Sequence, residues 1–205
     1  MKGIPREAEK KLNSRQYKLV IGTLLGDGCL LKPHNWGKNY RLQIAHAEKQ
    51  KDYVLWKYNE LKDWVKSEPR LIECTRSWRF RTISHNVFTE IAKDFYRNDK
   101  KIIPEHVFNL ITDPFIMAVW YMDDGGVRRY KGDIYNIYLN TQSFKENEVE
   151  KIQDVFRKKI GIDSALERNH GNWRLRINNK FTPKFIHLIS PYILSGFNYK
   201  ISLAP

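Results

Sequence analysis

Two aspartates, Asp27 and Asp124, each follow an apolar segment and precede a glycine, and they lie 97 residues apart. The two segments have the composition of buried helices, and if these pack in parallel the carboxylates meet at one end. A helix C-terminus and a neighbouring carboxylate both disfavour a negative charge there. A hard divalent cation removes both penalties, so the pair predicts a site for Mg²⁺, with Mn²⁺ as a substitute. The simpler alternative is that each Asp-Gly pair only makes a turn.

The first apolar segment also carries two glycines, Gly22 and Gly26, four residues apart. Glycine inside a helix costs about 1 kcal/mol relative to alanine. We therefore expect these positions to allow a close approach of two helices. Val119 and Asp123 stand at the matching positions of the second segment, so the predicted contact is asymmetric.

Sequence markers downstream of the two aspartates recur in the same order, which indicates a tandem duplication. A glutamine follows the acid after 16 or 18 residues, a Trp-Arg-x-Arg phrase begins after 51 or 49, and a lysine follows after 74 or 76. The matched pairs are Gln43 with Gln142, residues 78–81 with 173–176, and Lys101 with Lys200. The chain therefore divides into two halves, residues 1–112 and 113–205.

Each half reads as helix, strand, strand, helix, strand, strand, helix. Asn13 or Ser14 can cap the first helix, and Asp113 followed by Pro114 is a typical helix start. No Gly/Ser-rich or Pro-rich linker separates the halves. We predict an α+β fold in which two antiparallel sheets pack on helices.

The predicted strands alternate apolar side chains with basic, amide or tyrosine side chains, a pattern typical of a sheet with one open face. A solvated face is the alternative, but these polar side chains are of the kinds that contact phosphates and base edges. The candidate DNA contacts are Lys32, Arg41, Arg79, Arg81, Arg128, Asn136, Tyr138, Asn140, Arg174 and Arg176.

The formal net charge is +13, divided as +9 in residues 1–112 and +4 in residues 113–205. Both halves are basic, so nucleic acid is the expected partner, ahead of an anionic membrane surface. Cys29 and Cys74 are the two cysteines and form no CxxC motif, which excludes a zinc finger and a disulfide scaffold. No apolar run is long enough for a membrane span or a signal peptide, so we expect an intracellular protein, in cytoplasm or an organelle matrix.

The histidines show no metal-ligand spacing, and neither aspartate motif contains one. We therefore expect each to lie at the surface or in a loop, and we expect no conventional general base. The six are His34, His46, His85, His106, His170 and His187.

The residues of 20–28 and 117–125, the latter followed by Leu-Asn-Thr-Gln-Ser at 139–143, resemble the two signature motifs of single-chain LAGLIDADG homing endonucleases. The resemblance extends from about residue 14 to residue 202. Each motif is degenerate alone, but the pair in a basic chain of this length is specific. The loss of the motif glycines in the second copy is a departure from the pattern.

The resemblance implies two αββαββα halves related by pseudo-twofold symmetry, with saddle-shaped sheets that straddle duplex DNA. It implies metal binding by Asp27 and Asp124, with Gly26 and Asp123 as secondary candidates. It also implies catalytic support from a lysine and a glutamine in each half. By position these are Lys101, Lys200, Gln43 and Gln142.

By the same resemblance, the activity is site-specific cleavage of double-stranded DNA by a monomer at a long pseudo-palindromic site, leaving a short 3′ overhang. Two alternatives remain open. One is an intron RNA maturase, a splicing cofactor on the same scaffold, and the other is a DNA-binding regulator without catalysis. The retained pair of mutually repelling acids favours an enzyme over the regulator.

Overall fold

The structure, a computed structural model, describes residues 10–33 and 37–202. The first half contains α1 (Ser14–Leu25), β1 (Cys29–Leu31), β2 (Arg41–Ala47), α2 (Lys51–Glu60), β3 (Arg70–Ile72), β4 (Ser77–Arg81), α3 (Asn86–Phe95), β5 (Tyr96–Arg97) and β6 (Lys100–Lys101). The second half contains α4 (Pro114–Asp124), β7 (Gly125–Tyr130), β8 (Asp133–Leu139), α5 (Glu146–Val155), β9 (Ser164–Asn169), β10 (Asn172–Ile177) and α6 (Thr182–Ile189). The predicted order of elements is confirmed in both halves, and the first half adds the short β5-β6 pair, which was not predicted.

Each half folds a four-stranded antiparallel sheet, in the order β1-β2-β4-β3 and β7-β8-β10-β9. The central strands pair in the same way: residue 43 faces 81 in the first sheet, and residue 138 faces 176 in the second. The α+β prediction is therefore confirmed, and the register gives an internal measure of which residues are equivalent. None of the described helices is long and apolar enough to cross a membrane.

Helices α1 and α4 start at side-chain caps, as predicted. The Asn13 side chain accepts a hydrogen bond from the backbone N–H of Gln16, and the Gln16 side chain accepts one from the backbone N–H of Asn13. Asp113 accepts from two backbone N–H groups of the first turn of α4, beside Pro114. These caps satisfy backbone donors that a helix start leaves without partners. The Lys18 ammonium lies 2.6 Å from Asp113, so the two helix starts are also adjacent.

The central contact of the fold is the parallel packing of α1 on α4, and the glycines allow it. A Cβ added at Gly22 would lie 2.8 Å from Val119 Cβ and 3.0 Å from the Ile116 carbonyl oxygen. One added at Gly26 would lie 2.4 Å from Asp123 Cβ. Both helices are buried on almost every side, because each also faces the rest of the core.

One strand departs from the predicted pattern. Asn136 and Tyr138 of β8, expected on an open face, are buried, at 4% and 6% exposure. The guanidinium of Arg174 lies 3.9 Å from the centre of the Tyr138 ring and covers it. Tyr138 therefore supports an arginine on this sheet instead of facing solvent, and its assignment as a direct DNA contact is not supported.

We expect Gly22→Ala to lower the free energy of unfolding by about 1–2 kcal/mol. Overpacking costs about 1–3 kcal/mol, and the close contacts at Gly22, one of them with a backbone oxygen, place it in the upper part of that range. The better helix propensity of alanine returns about 1 kcal/mol of this. Urea unfolding measures this change. Gly126→Ala is the matched control, because a Cβ there meets nothing within 4 Å, and we expect a change below about 0.5 kcal/mol. Equal stability of the two variants would contradict the close approach.

Candidate active site at the paired helix ends

The two helices end together and bring three carboxylates into one region. Gly26 caps α1 and Asp27 follows it, while Asp123 and Asp124 are the last residues of α4. The backbone N–H of Asp27 donates to Asp123 Oδ2 at 3.3 Å. The predicted meeting of the first and second motifs is therefore a feature of the structure. The Asp27 side chain is 44% exposed, so it is open to a ligand.

Asp123, a candidate metal ligand by sequence, is instead held in a buried ion pair. The Lys57 ammonium donates to both of its oxygens, at 2.7 and 3.0 Å, and the Tyr53 hydroxyl donates to one of them at 2.6 Å. The side chains of Asp123 and Lys57 are both fully buried. Because a cation already neutralises Asp123, we correct its assignment from metal ligand to ion-pair partner.

His46 is the residue that the sequence reasoning missed. Its side chain is 1% exposed, its Nδ1 lies 3.4 Å from Asp27 Oδ2, and its Nε2 lies 3.3 Å from Lys57 Nζ. One atom each of Asp27, His46 and Asp123 lie within 4.8 Å of one another, a spacing that a metal ion could use. The Lys57 ammonium contacts two of these three residues, Asp123 and His46. The expectation that every histidine lies in a loop or at the surface is therefore wrong.

A signal for His46 was present in the strand pattern. It follows Leu42 and Ile44 on the buried face of β2, and Lys57 follows Tyr53 by one helical turn on α2. A polar side chain on each of two buried faces that pack together indicates a buried polar contact. His85 lies in a loop, as expected, and its ring nitrogen accepts from the Val87 N–H and caps α3. His34 lies outside the described residues.

The two principal acids are electrostatically different. Burial pushes the pKa of Asp27 up, but the contact with His46 and the positive charges of Lys57 and Lys101 outweigh it, so that pKa lies below its usual range. Burial, followed by the negative charges of Asp27 and Asp123, raises the pKa of Asp124 to about 7. Burial also lowers the pKa of Lys57, against the opposing effect of Asp123.

The lysine pair, Lys101 and Lys200, lies beside the helix ends in both halves. Lys101 donates to the carbonyl oxygens of Gly26 and Gly28, at 3.0 and 2.9 Å. Lys200 donates to those of Tyr121 and Met122, at 3.2 and 2.9 Å. Each ammonium therefore offsets the negative end of its own helix and supplies positive charge near the acids. Gly26 can offer a metal only its carbonyl oxygen, which already accepts from Lys101.

The glutamine pair does not follow the repeat. Gln43 lies on β2 opposite Cys29 and Arg81, and its Oε1 accepts from Arg81 Nε at 2.7 Å. The register places Tyr138, not Gln142, at the equivalent position. Gln142 lies in the turn after β8 and donates to Asn140 at 3.5 Å. Matching by spacing failed here because the loops after the two acids differ in length.

The first sheet carries a cluster of like charges. One groove is lined by Arg41, Arg70, Arg79, Arg81 and Lys66. Burial, followed by the positive charges of the neighbouring arginines, lowers the pKa of Arg81. Glu68 is the acidic residue among the groove's lining. Lys32 lies apart, in an exposed ion pair with Asp99.

The second sheet is more nearly neutral. Arg174 and Arg176 both pair with Glu167 of β9, which the sequence reasoning overlooked on this face. Arg128 is exposed on β7, and the Asn140 N–H donates to the Asp124 carbonyl oxygen at 3.0 Å. The predicted basic face is therefore concentrated in the first half.

The chain is similar to known proteins over most of its length. The chain is 32% identical over 200 residues to the probable intron-encoded endonuclease 1 of Wickerhamomyces canadensis, covering 93% of this chain and 85% of that one. It is 25% identical to the cytochrome b mRNA maturase bI2 of Debaryomyces hansenii, covering 94% of this chain and 75% of that one. It spans about half the length of the bacterial RecA proteins that it also matches.

Solved structures share the fold of this protein. The homing endonuclease I-WcaI bound to its DNA recognition sequence superposes with a TM-score of 0.84 at 27% identity, covering 96% of this chain and 89% of that one. I-DmoI in complex with DNA and manganese shares the fold, with a TM-score of 0.57 at 17% identity, covering 86% and 96%. The sequence profile of the LAGLIDADG DNA endonuclease family matches residues 17–185. Because that match covers most of the chain and both paired helices, the protein belongs to the LAGLIDADG DNA endonuclease family.

Proposed function

We propose that this protein is a site-specific endonuclease that hydrolyses both strands of duplex DNA with the help of divalent cations. The observation that carries the proposal is the junction of two carboxylates, Asp27 and Asp124, at the paired helix ends between two sheets. A relative that is a probable endonuclease and a structural neighbour bound to DNA support it. We infer that the protein acts as a monomer, because both halves of the site lie in one chain.

The donor set fits a hard divalent cation. Asp27 offers a half-exposed carboxylate, and Asp124 offers one whose ionisation is opposed by burial and by two neighbouring acids. A cation at these oxygens relieves the repulsion that raises the pKa of Asp124. We therefore assign metal binding to Asp27 and Asp124, with Mg²⁺ as the proposed ion and Mn²⁺ as its substitute.

When bound, divalent cations lower the pKa of a coordinated water and stabilise the attacking and leaving oxygens of the phosphodiester. The protein contributes orientation and charge. Lys101 and Lys200, fixed on the helix-end carbonyls, place an ammonium on each side of the acids, where negative charge develops on phosphate. Gln43 is held by Arg81 and lies opposite Cys29, two residues after the first acid, and we assign its amide a supporting role.

The sheets supply the DNA contacts in this proposal. The arginine cluster of the first sheet, with Arg128, Asn140, Arg174 and Arg176 of the second, contacts phosphates and base edges. Because the two sheets differ in their side chains, the site is pseudo-palindromic and about two helical turns long. A short 3′ overhang follows from the family resemblance.

A second candidate function is an intron RNA maturase on the same scaffold. The similarity to a cytochrome b mRNA maturase over 94% of this chain favours it. The two functions are compatible, but a maturase without cleavage has no need of two ionisable groups in mutual repulsion. Loss of cleavage with retained splicing on removal of the acids separates the two activities.

We expect Asp27→Asn and Asp124→Asn each to reduce Mg²⁺-dependent cleavage by at least 100-fold while DNA affinity changes less than about threefold. Each variant keeps the shape of the side chain and removes one negatively charged ligand. The substrate is a duplex selected from a random library with the wild-type protein. Gel electrophoresis measures strand cleavage in Mg²⁺. Fluorescence anisotropy measures DNA binding with Ca²⁺ in place of Mg²⁺.

Asp154→Asn is the matched control, because Asp154 is an exposed acid of α5 that pairs with Arg157. We expect it to cut at the wild-type rate. Near wild-type cleavage by either helix-end variant would refute the assignment of the acids.

The raised pKa of Asp124 predicts a pH dependence of stability without metal. Below about pH 4 this carboxyl is protonated in both the folded and the unfolded chain. Between about pH 4 and 7 the unfolded chain loses this proton while the folded chain keeps it, so the contribution of Asp124 to stability falls as pH rises. We expect Asp124→Asn to match wild type near pH 4 and to be the more stable near pH 8 in urea unfolding with chelator.

Asp27→Asn is the contrasting variant, because the pKa of Asp27 is lowered and its ionised form stabilises the fold. We expect no stability gain from it at pH 8. A gain of the same size in both variants would show that the two acids have equivalent surroundings.

A further inference from the structure

A buried chain of charged and polar groups crosses from one half to the other. Asp123 of α4 pairs with Lys57 of α2, the Lys57 ammonium lies 3.3 Å from His46 Nε2, and His46 Nδ1 lies 3.4 Å from Asp27 Oδ2. Tyr53 donates to Asp123 as well. These groups are buried except for the Asp27 carboxylate, which lies at the candidate active site.

The hydrogen-bond donors of Lys57 fix the tautomer of His46. An ammonium has three N–H donors and no acceptor, and those of Lys57 point at the two Asp123 oxygens and at His46 Nε2. His46 Nε2 is therefore the acceptor, which leaves the proton on Nδ1. The Nδ1–H faces Asp27 Oδ2, so the buried ion pair orients a donor toward the carboxylate.

Among the described residues of the second half, nothing corresponds to this buried series of groups. His46 pairs with Trp78 in the first sheet, and the register places Thr141 beside Trp173 in the second. Thr141 is buried and donates to the Trp173 carbonyl oxygen at 2.9 Å. Eleven residues further, where the first half has Lys57, the second has the buried Ile152. Among the described residues, no side chain donates a hydrogen bond to the Asp124 carboxylate, and its neighbours affect its pKa through their charges.

We propose that His46 is a positioning residue that orients the Asp27 carboxylate for metal, and that Asp124 has no such support. The centre built on Asp27 then binds metal more tightly, and the DNA strand that it serves is cut first. Groups that hold a metal ligand in place typically change metal affinity or activity by 10–100-fold when removed. This inference rests on the proposed endonuclease function.

The first test measures Mn²⁺ binding to the protein without DNA by electron paramagnetic resonance. Asp124→Asn leaves only the Asp27 centre, and Asp27→Asn leaves only the Asp124 centre. We expect tighter binding in Asp124→Asn. Adding His46→Leu to it should weaken Mn²⁺ binding about tenfold or more, whereas His46→Asn, which keeps an amide donor near the Nδ1 position, should restore most of the affinity.

Two variants separate positioning from a structural role. Thr141→Val changes the matching site of the second half and should leave Mn²⁺ affinity within twofold. His46→Gln keeps a polar side chain but places its amide on the Nε2 side, so it should not restore affinity. Circular dichroism melts establish that each variant is folded, and the comparison of Asn with Gln decides the case if His46→Leu does not fold.

The second test follows each strand of the selected duplex separately. We expect wild type to cut one strand first, and His46→Leu or His46→Gln to slow that strand about tenfold and the other less than twofold. Equal Mn²⁺ affinities of the two single-acid variants, or equal slowing of both strands, would overturn the inference. Metal preference without any DNA cleavage by wild type would instead reject the proposed function.

Discussion

The parallel contact between α1 and α4 is the constraint on which the rest of the structure depends. It requires Gly22 and Gly26, since a methyl group at either would lie 2.8 Å or less from a side-chain carbon of α4. Because the helices are parallel and nearly equal in length, their C-terminal acids must meet. The contact that joins the two halves is thus also the one that assembles the candidate active site.

Bringing carboxylates together has an electrostatic cost, which the chain offsets unequally. Asp123 is neutralised by Lys57, and Asp27 faces His46 and Lys101, whereas Asp124 keeps a pKa of about 7. A buried ion pair such as that of Lys57 and Asp123 is seldom more stable than apolar residues of the same size. Its retention is better explained by what it positions than by stability.

Much of this arrangement was predictable from the sequence. The duplication, the helix caps at Asn13 and Asp113, and the convergence of the motif acids all follow from spacing and residue type. These features are local, or they depend on a periodicity that survives divergence. The family resemblance rested on the same residues.

The errors lie where tertiary contacts override local pattern. Tyr138 alternates like an exposed residue, but Arg174 from the next strand covers it. Gln142 keeps nearly the right spacing, yet the register aligns Tyr138 with Gln43. Asp123 was a secondary metal candidate by the resemblance, and its partner, Lys57, lies 66 residues away, where no local pattern connects the two. The alternation of β2 places His46 on a buried face, but only the packing of α2 on β2 identifies Lys57 as its partner.

The central claim is that Asp27 and Asp124 bind metal, while Asp123 forms an ion pair with Lys57 and does not. A crystal structure of the protein on its selected DNA with Mn²⁺, located by anomalous scattering, tests it most directly. The account predicts Mn²⁺ in contact with the carboxylates of Asp27 and Asp124, with the Lys57–Asp123 ion pair intact. Mn²⁺ bound by Asp123 and His46, with Lys57 displaced, would contradict it.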